Sequence, residues 1–109
     1  MKNSALNGHQ ARALRMVIET YNDIIGGWEN TLLDYSEDED EYQRAYKALH
    51  NPEGLVETIY YDVVRGMSDT EIRFAGKEWI KERIARKLLK DGYYPNYIKR
   101  PEYDLRKAR

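Results

Sequence analysis

The sequence predicts an all-α fold: a single-domain bundle of about four helices, followed by a tyrosine-rich, basic C-terminal tail. Apolar residues recur every three or four positions in four successive segments, and no segment alternates polar and apolar residues as a half-buried strand does. Helix-capping sequences separate the segments, and a length of 109 residues suits one domain. We expect residues 1–92 to form the helical domain and residues 93–109 to form a partly ordered tail.

The first predicted helix covers approximately residues 9–35. Its apolar stripe has alternating spacings of four and three residues and consists of Leu14, Ile18, Tyr21, Ile25, Trp28, Leu32 and Tyr35. Such a stripe packs inside a bundle or pairs in a coiled-coil dimer. Gly26 and Gly27 together lower helix propensity by about 2 kcal/mol relative to alanine, which favours the bundle. Trp28 and Trp79 are the candidates for the centre of the core.

Two shorter helices follow, at approximately residues 37–50 and 52–66. Ser36 and Glu39 have the spacing of a capping box, which predicts a helix start. The residues expected to point inward from the second helix are Tyr42, Ala45, Tyr46 and Leu49. Asn51 ends this helix because the following Pro52 disfavours helical geometry there, and Pro52 suits the first position of the third helix.

A fourth helix is predicted over residues 69–91. Ser68 and Glu71 form a second capping box, and Gly92 stops the helix. Gly76 interrupts the pattern and leaves two interpretations open. The segment is one continuous helix whose basic half complements the helix dipole, or two helices with a turn between them. The continuous helix is the preferred interpretation.

The composition indicates a folded chain and excludes several kinds of site. The net charge is −1 and the chain contains ten Tyr, two Trp and one Phe, whereas disordered chains usually have a large net charge and few aromatic residues. The lack of cysteine excludes disulfides, thiolate metal sites and cysteine nucleophiles, and fits a reducing compartment. Because the longest apolar runs are two or three residues, we expect no membrane span and a cytoplasmic protein.

The near-zero net charge conceals a strong polarity along the chain. Residues 36–62 carry two basic and eight acidic residues, and residues 63–109 carry thirteen basic and seven acidic residues. The acidic run suits a helix N-terminus or a docking surface for a basic protein. The candidate partner-binding residues are Glu37, Asp38, Asp40 and Glu41. A calcium loop starting at Asp34 fails, because Glu39 replaces the required glycine and Ala45 replaces the final glutamate.

The segment 66–90 contains the run G-M-S-D-T-E-I, then Ala75 and Gly76, then a basic amphipathic stretch. This arrangement resembles the helix-turn-helix of sigma-like and small phage transcription regulators. The resemblance implies a supporting helix at residues 69–75, a turn at Gly76 and a recognition helix at residues 77–90 that lies in the DNA major groove. The segment departs from the family at Arg73, where a small alanine is usual, and in its isoleucine-to-glycine spacing.

Basic residues of this segment and of the tail are the candidates for nucleic-acid contact. Tyrosines in the tail alternate with lysines and arginines, a mixture that suits phosphate contacts with base stacking, or a terminus folded back over the core. The candidate residues are Lys77, Lys81, Arg83, Arg86, Lys87, Lys90, Lys99 and Arg100.

No motif points to catalysis, a cofactor or a metal. His9 and His50 lie 41 residues apart with no second histidine one helical turn from either, and no nucleophile elbow or phosphate-binding glycine loop is present. We expect a non-enzymatic regulatory or binding protein that contacts nucleic acid through its basic C-terminal third. The alternative is a protein-interaction adaptor or inhibitor that uses residues 36–41 or self-associates through the first helix.

Overall fold

The computed structural model describes residues 6–93, and these residues form five helices and no strand. The helices are α1 (Gly8–Asp34), α2 (Asp40–Leu49), α3 (Pro52–Arg65), α4 (Asp69–Ala75) and α5 (Lys77–Lys90). The all-α prediction is therefore confirmed. The tail prediction, apart from residue 93, lies outside the described residues. Within residues 6–93, no helix has the length and apolar character needed to cross a bilayer.

Helix α1 is the centre of the bundle, because it contacts each of the other four helices. One apolar core joins all five helices, and its largest fully buried side chains are Tyr21, Ile59, Ile80, Ile84, Leu88, Val17, Val56 and Val63. Burial of each such side chain stabilises the fold by about 1.5–3 kcal/mol. The apolar stripe of α1 is thus used inside the chain, as the bundle interpretation predicts.

The buried stripe of α1 starts one residue earlier than predicted. Ala13 and Val17 are fully buried, whereas Leu14 is half-buried and Ile18 is 40% exposed. Both pairs are apolar and four residues apart, so the hydrophobic period alone does not distinguish them. Tyr21 and Ile25 are buried as predicted, and Trp28 and Leu32 are half-buried, but Tyr35 is 40% exposed beyond the end of α1, so its predicted place in the stripe is wrong.

The two tryptophans do not occupy the centre of the core. Trp28 and Trp79 are half-buried and pack against the outside of the core cluster, so their predicted position is wrong. The centre is filled by aliphatic side chains such as Ile59 and Ile84, which are fully buried. Tryptophan is so large that it is rarely fully buried.

Helix α2 begins later than predicted and buries a narrower face. The Glu39 carboxylate accepts from the Ser36 N–H at 2.7 Å, as a capping box requires, but the Ser36 hydroxyl donates to the same carboxylate and does not cap the helix. The helix therefore starts at Asp40. Tyr46 is 44% exposed and stacks on His50 with ring centroids 4.0 Å apart, so its predicted inward position is wrong.

The preferred prediction of one continuous fourth helix is also wrong, because Gly76 separates α4 from α5. Gly76 has φ +98°, a region that residues with a side chain rarely adopt. The start of α1 secures this break: the Asn7 amide donates to the Phe74 carbonyl and the Gln10 amide donates to the Ala75 carbonyl, both at 3.1 Å. The last carbonyls of α4 thereby gain partners that a continuous helix would have supplied. The predicted capping box at the start of α4 is present.

Helices α1 and α5 run side by side in the same direction. The first turn of α1 contacts the end of α4, and further along α1 the Tyr21 hydroxyl donates to Asp91 Oδ2 at 2.6 Å. Beyond the end of α5, the Tyr93 hydroxyl donates to Glu29 Oε2 at 2.8 Å. This alignment places the exposed part of the α1 stripe next to the basic side of α5.

Candidate functional site

A groove of about 220 Å³ lies between α1 and α5, and we call it the basic groove. Two aliphatic residues of α1 and four cationic residues of α5 line it: Leu14, Ile18, Arg83, Arg86, Lys87 and Lys90. The four cations belong to the set predicted to contact nucleic acid. We call Leu14 and Ile18 the aliphatic wall of the groove, and neither was predicted as part of any site.

The helical spacing of the four cations brings them together. At about 100° per residue, Arg83, Arg86, Lys87 and Lys90 fall within about 100° of arc around α5. This arc borders the buried residues of the same helix, which hold α5 against α1 and α3. The aliphatic wall exists because Ala13 and Val17 fill the core and leave Leu14 and Ile18 at its edge.

Aromatic rings support two of the cations. The Arg83 guanidinium lies 4.8 Å from the centroid of the Trp79 ring, and Lys87 Nζ lies 4.8 Å from the centroid of the Tyr21 ring. Such contacts contribute about 0.5–1 kcal/mol at exposed sites. They restrain the side chains near the groove and leave the charge in place to attract an anion.

The two remaining cations lie on the outer side of the groove. Arg86 Nη2 is 3.9 Å from Glu82 Oε1, one helical turn earlier, and Lys90 is exposed in the last turn of α5. A pair of this kind on a helix surface contributes about 0.3–0.5 kcal/mol, and salt screens it. An anionic ligand can therefore compete with Glu82 for Arg86 at little cost.

A buried tyrosine, Tyr21, lies next to the groove cation Lys87 and links α1 to the end of α5. Burial is the main cause that raises the pKa of Tyr21, and its hydrogen bond to Asp91 raises it further. The hydroxyl therefore remains protonated, and it links α1 to the end of α5. Burial, followed by the hydrogen bond to Glu29, likewise raises the pKa of Tyr93 to about 12. Two neutral tyrosines thus hold the groove's helices together.

Of the other four predicted nucleic-acid contacts, two lie elsewhere in the described part of the chain. Lys81 points to α3, where its Nζ lies 3.1 and 3.2 Å from the two carboxylate oxygens of Glu57, and its side chain is only 15% exposed. Lys77 is exposed at the first position of α5 and does not line the basic groove. Lys99 and Arg100 lie outside the described residues.

The bounds of α4 and α5 coincide with the two helices that the helix-turn-helix resemblance implies. Their connection is shorter than usual, since Gly76 alone separates them and helix-turn-helix motifs commonly have a turn of three or four residues.

The capping box at Ser68 and Glu71 lowers the pKa of Glu71, because its carboxylate accepts a hydrogen bond from the Ser68 N–H. Arg12 Nη1 lies 2.7 Å from Glu71 Oε2 and ties α4 to α1.

The acidic candidates lie in the connection before α2 and in the first turn of this helix. Asp40 and Glu41 are exposed at the start of α2, and Glu37 and Asp38 are exposed in the preceding turn. This position agrees with favourable interaction between acidic residues and the N-terminal end of the helix dipole. Among residues 6–93, no three histidine, aspartate or glutamate side chains are grouped as metal ligands.

A second groove, of about 350 Å³, separates α1 from α3 and was not predicted from the sequence. Its lining is mixed in polarity and consists of Ile24, Gly27, Trp28, Thr31, Thr58 and Asp62. The carboxylate at its edge is engaged, since Asp62 Oδ1 lies 3.0 Å from Arg65 Nη2.

Comparison with known proteins gives no relative: no protein-family model, curated protein or solved structure matches the chain significantly.

Proposed function

We propose that this chain is a non-enzymatic regulatory protein that binds nucleic acid through the basic groove. The observation that supports this proposal is the convergence of four cationic side chains of one helix on a single concave surface. Phosphate groups are the anions of nucleic acid that such a surface attracts, and release of their counterions supplies much of the binding free energy. The proposal applies to phosphate recognition and requires no catalytic group.

The residue types suit this ligand. Arg83 and Arg86 each present a planar set of donors that can bind two oxygens of one phosphate, and Lys87 and Lys90 act as compact charges. From the first to the last of these residues the helix axis extends about 10 Å. Phosphates of one strand recur about every 3.4 Å along the axis of duplex DNA, so this length of axis corresponds to about three of them. The aliphatic wall offers a surface for the carbon atoms of the sugars.

The test measures the affinity of the full chain for mixed-sequence DNA, both duplex and single-stranded, as a function of salt. We expect binding at about 50 mM salt, with log K falling against log salt at a slope of about −3 for the duplex. A variant that replaces the four groove cations with glutamine should bind at least tenfold more weakly. No binding by the wild type at this salt concentration would refute the proposal.

A matched variant controls for net charge. It replaces four exposed cations on α2, α3 and α4 with glutamine: Arg44, Lys47, Arg65 and Arg73. Both variants change the net charge by the same amount, and circular dichroism checks that both remain helical. We expect the control variant to retain affinity within about threefold at about 150 mM salt, where screening limits remote charge effects. An equal loss in both variants would assign binding to net charge alone.

Docking of a protein partner at α2 is a second candidate function, and one observation favours it. Tyr42, Tyr46 and His50 form a stacked series along α2, and Tyr46 and His50 are exposed beside the acidic segment. The experiment is a pull-down and a sedimentation run with a variant in which Glu37, Asp38, Asp40 and Glu41 are neutralised. An unchanged set of partners and an unchanged oligomeric state would remove the acidic segment from consideration.

A further inference from the structure

The shape of the basic groove determines which part of a nucleic acid can enter it. Leu14 and Ile18 of α1 form a wall directly beside the cations of α5. A single helix with its side chains is about 10–12 Å wide and already fills the major groove of DNA, which is about 12 Å wide. Two adjacent helices cannot both enter it. The groove therefore receives a convex ridge of the ligand, and the ridge of a nucleic acid is its sugar-phosphate backbone.

The outward surface of α5 is poorly suited to reading bases. Arg83 lies over the ring of Trp79, and Arg86 lies next to Glu82. A carboxylate at this position would lie close to the phosphates of any strand held by the four cations. An ionised glutamate only accepts hydrogen bonds, so it can read the amino group of cytosine or adenine, and this contact requires insertion into the major groove.

We infer, building on the proposed function, that the basic groove holds the backbone of one nucleic-acid strand and does not read base sequence. Arg83, Arg86, Lys87 and Lys90 contact phosphates, and Leu14 and Ile18 contact the sugars. Backbone contacts fix the position of a protein on nucleic acid but carry no direct sequence information. Glu82 then acts against binding, because it repels phosphate and pairs with Arg86.

The first experiment compares the affinity of the full chain for several duplexes of equal length and different base sequence, and for the corresponding single strands. We expect affinities within about threefold across the duplexes and the same salt slope for each. Replacement of consecutive phosphates by neutral methylphosphonates in one strand should weaken binding at least tenfold. A preference of more than about 30-fold for one duplex would overturn the inference, since mismatched base contacts cost this much.

The second experiment uses Glu82→Gln, for which the two modes of binding predict opposite signs. If the groove holds the backbone, this variant binds every sequence about two- to threefold more tightly at low salt, and the gain disappears as salt rises. If Glu82 reads the amino group of cytosine or adenine, the variant binds sites with that base more weakly and its sequence preference changes. The latter result would overturn the inference.

Glu41→Gln on α2 is the matched control, since it removes the same charge from an exposed position outside the basic groove. We expect its affinity to stay within about 1.5-fold of the wild type at about 0.1 M salt, where the screening length is about 10 Å. These outcomes separate the inference from the proposed function. Strong sequence selectivity refutes only the inference, whereas a wild type that binds no nucleic acid refutes both.

Discussion

The acidic segment at residues 37–41 and the basic side of α5 at residues 83–90 have opposite charge and different geometry. The five acidic residues are consecutive, so their side chains leave the exposed turn and the first turn of α2 in several directions. The four cations are spaced by three, one and three residues within a helix, so they lie on one side of it. A second helix, α1, adds a wall to the basic side.

This difference shows that the density of charge along a sequence is a poor guide to where charged side chains converge on one surface. The acidic segment has the higher density, yet its position at a helix start accounts for its composition. The basic groove depends on tertiary structure, because Leu14, Ile18 and Tyr21 come from a helix about 70 residues earlier in the chain than the cations. The following predictions test this contrast.

The largest loss of stability is expected at Gly76, where the chain turns from α4 into α5. Gly76→Ala should lower the free energy of unfolding by about 1–3 kcal/mol, because alanine rarely adopts φ +98°. Its Cβ would also lie 3.4 Å from Cβ of Trp79. Gly26→Ala is the control: its Cβ meets no atom within 4 Å, so the variant should be about 1 kcal/mol more stable. Urea unfolding measures both, and equal effects would contradict the role given to Gly76.

A smaller loss of stability is expected from removal of the Tyr21 hydroxyl, which links α1 to the end of α5. Tyr21→Phe should lower the free energy of unfolding by about 1 kcal/mol at neutral pH, because it removes the hydrogen bond to Asp91. The folded state raises the pKa of Tyr21, so the protonated hydroxyl stabilises the fold below pH 10.0, and this contribution is lost as the pH rises further. The variant should therefore lose less stability than the wild type above pH 10.0. Tyr61→Phe, at an exposed position, should leave this dependence unchanged.

The smallest change in the free energy of unfolding is expected in the acidic segment. Asp40→Asn and Glu41→Gln should each lower the free energy of unfolding by about 0.3–1 kcal/mol at low salt, because these carboxylates interact with the N-terminal end of α2. High salt should remove the difference. Glu37→Gln and Asp38→Asn, which precede the helix, should have a smaller effect. A loss of nucleic-acid binding in any of these variants would contradict the contrast between the two segments.

Local chemistry made much of the fold predictable. The capping box at Ser68 and Glu71 and the Asn51–Pro52 pair mark helix ends through contacts within a few residues, and the structure contains both. The clustering of cations in the last helix was also visible, because helical spacing alone places them on one side.

The remaining features depend on contacts between distant segments. The hydrophobic period does not decide whether Leu14 or Ala13 faces the core, and this choice determines the wall of the basic groove. Helical spacing places Lys81 about 160° around α5 from Arg83, away from the groove cations, but its partner Glu57 lies on α3 and is not visible in the local pattern. The break at Gly76 depends on Asn7, which supplies a partner to the end of α4 from far along the chain.

The most direct test of the central claim is to locate the contact surface by amide NMR during titration of the full chain with a short DNA duplex. The account predicts that the largest shifts among residues 6–93 occur around Leu14 and Ile18 and along residues 83–90, and that residues 37–41 shift little. Shifts concentrated on α2, or on the α3 side of α5 around Lys81, would contradict it.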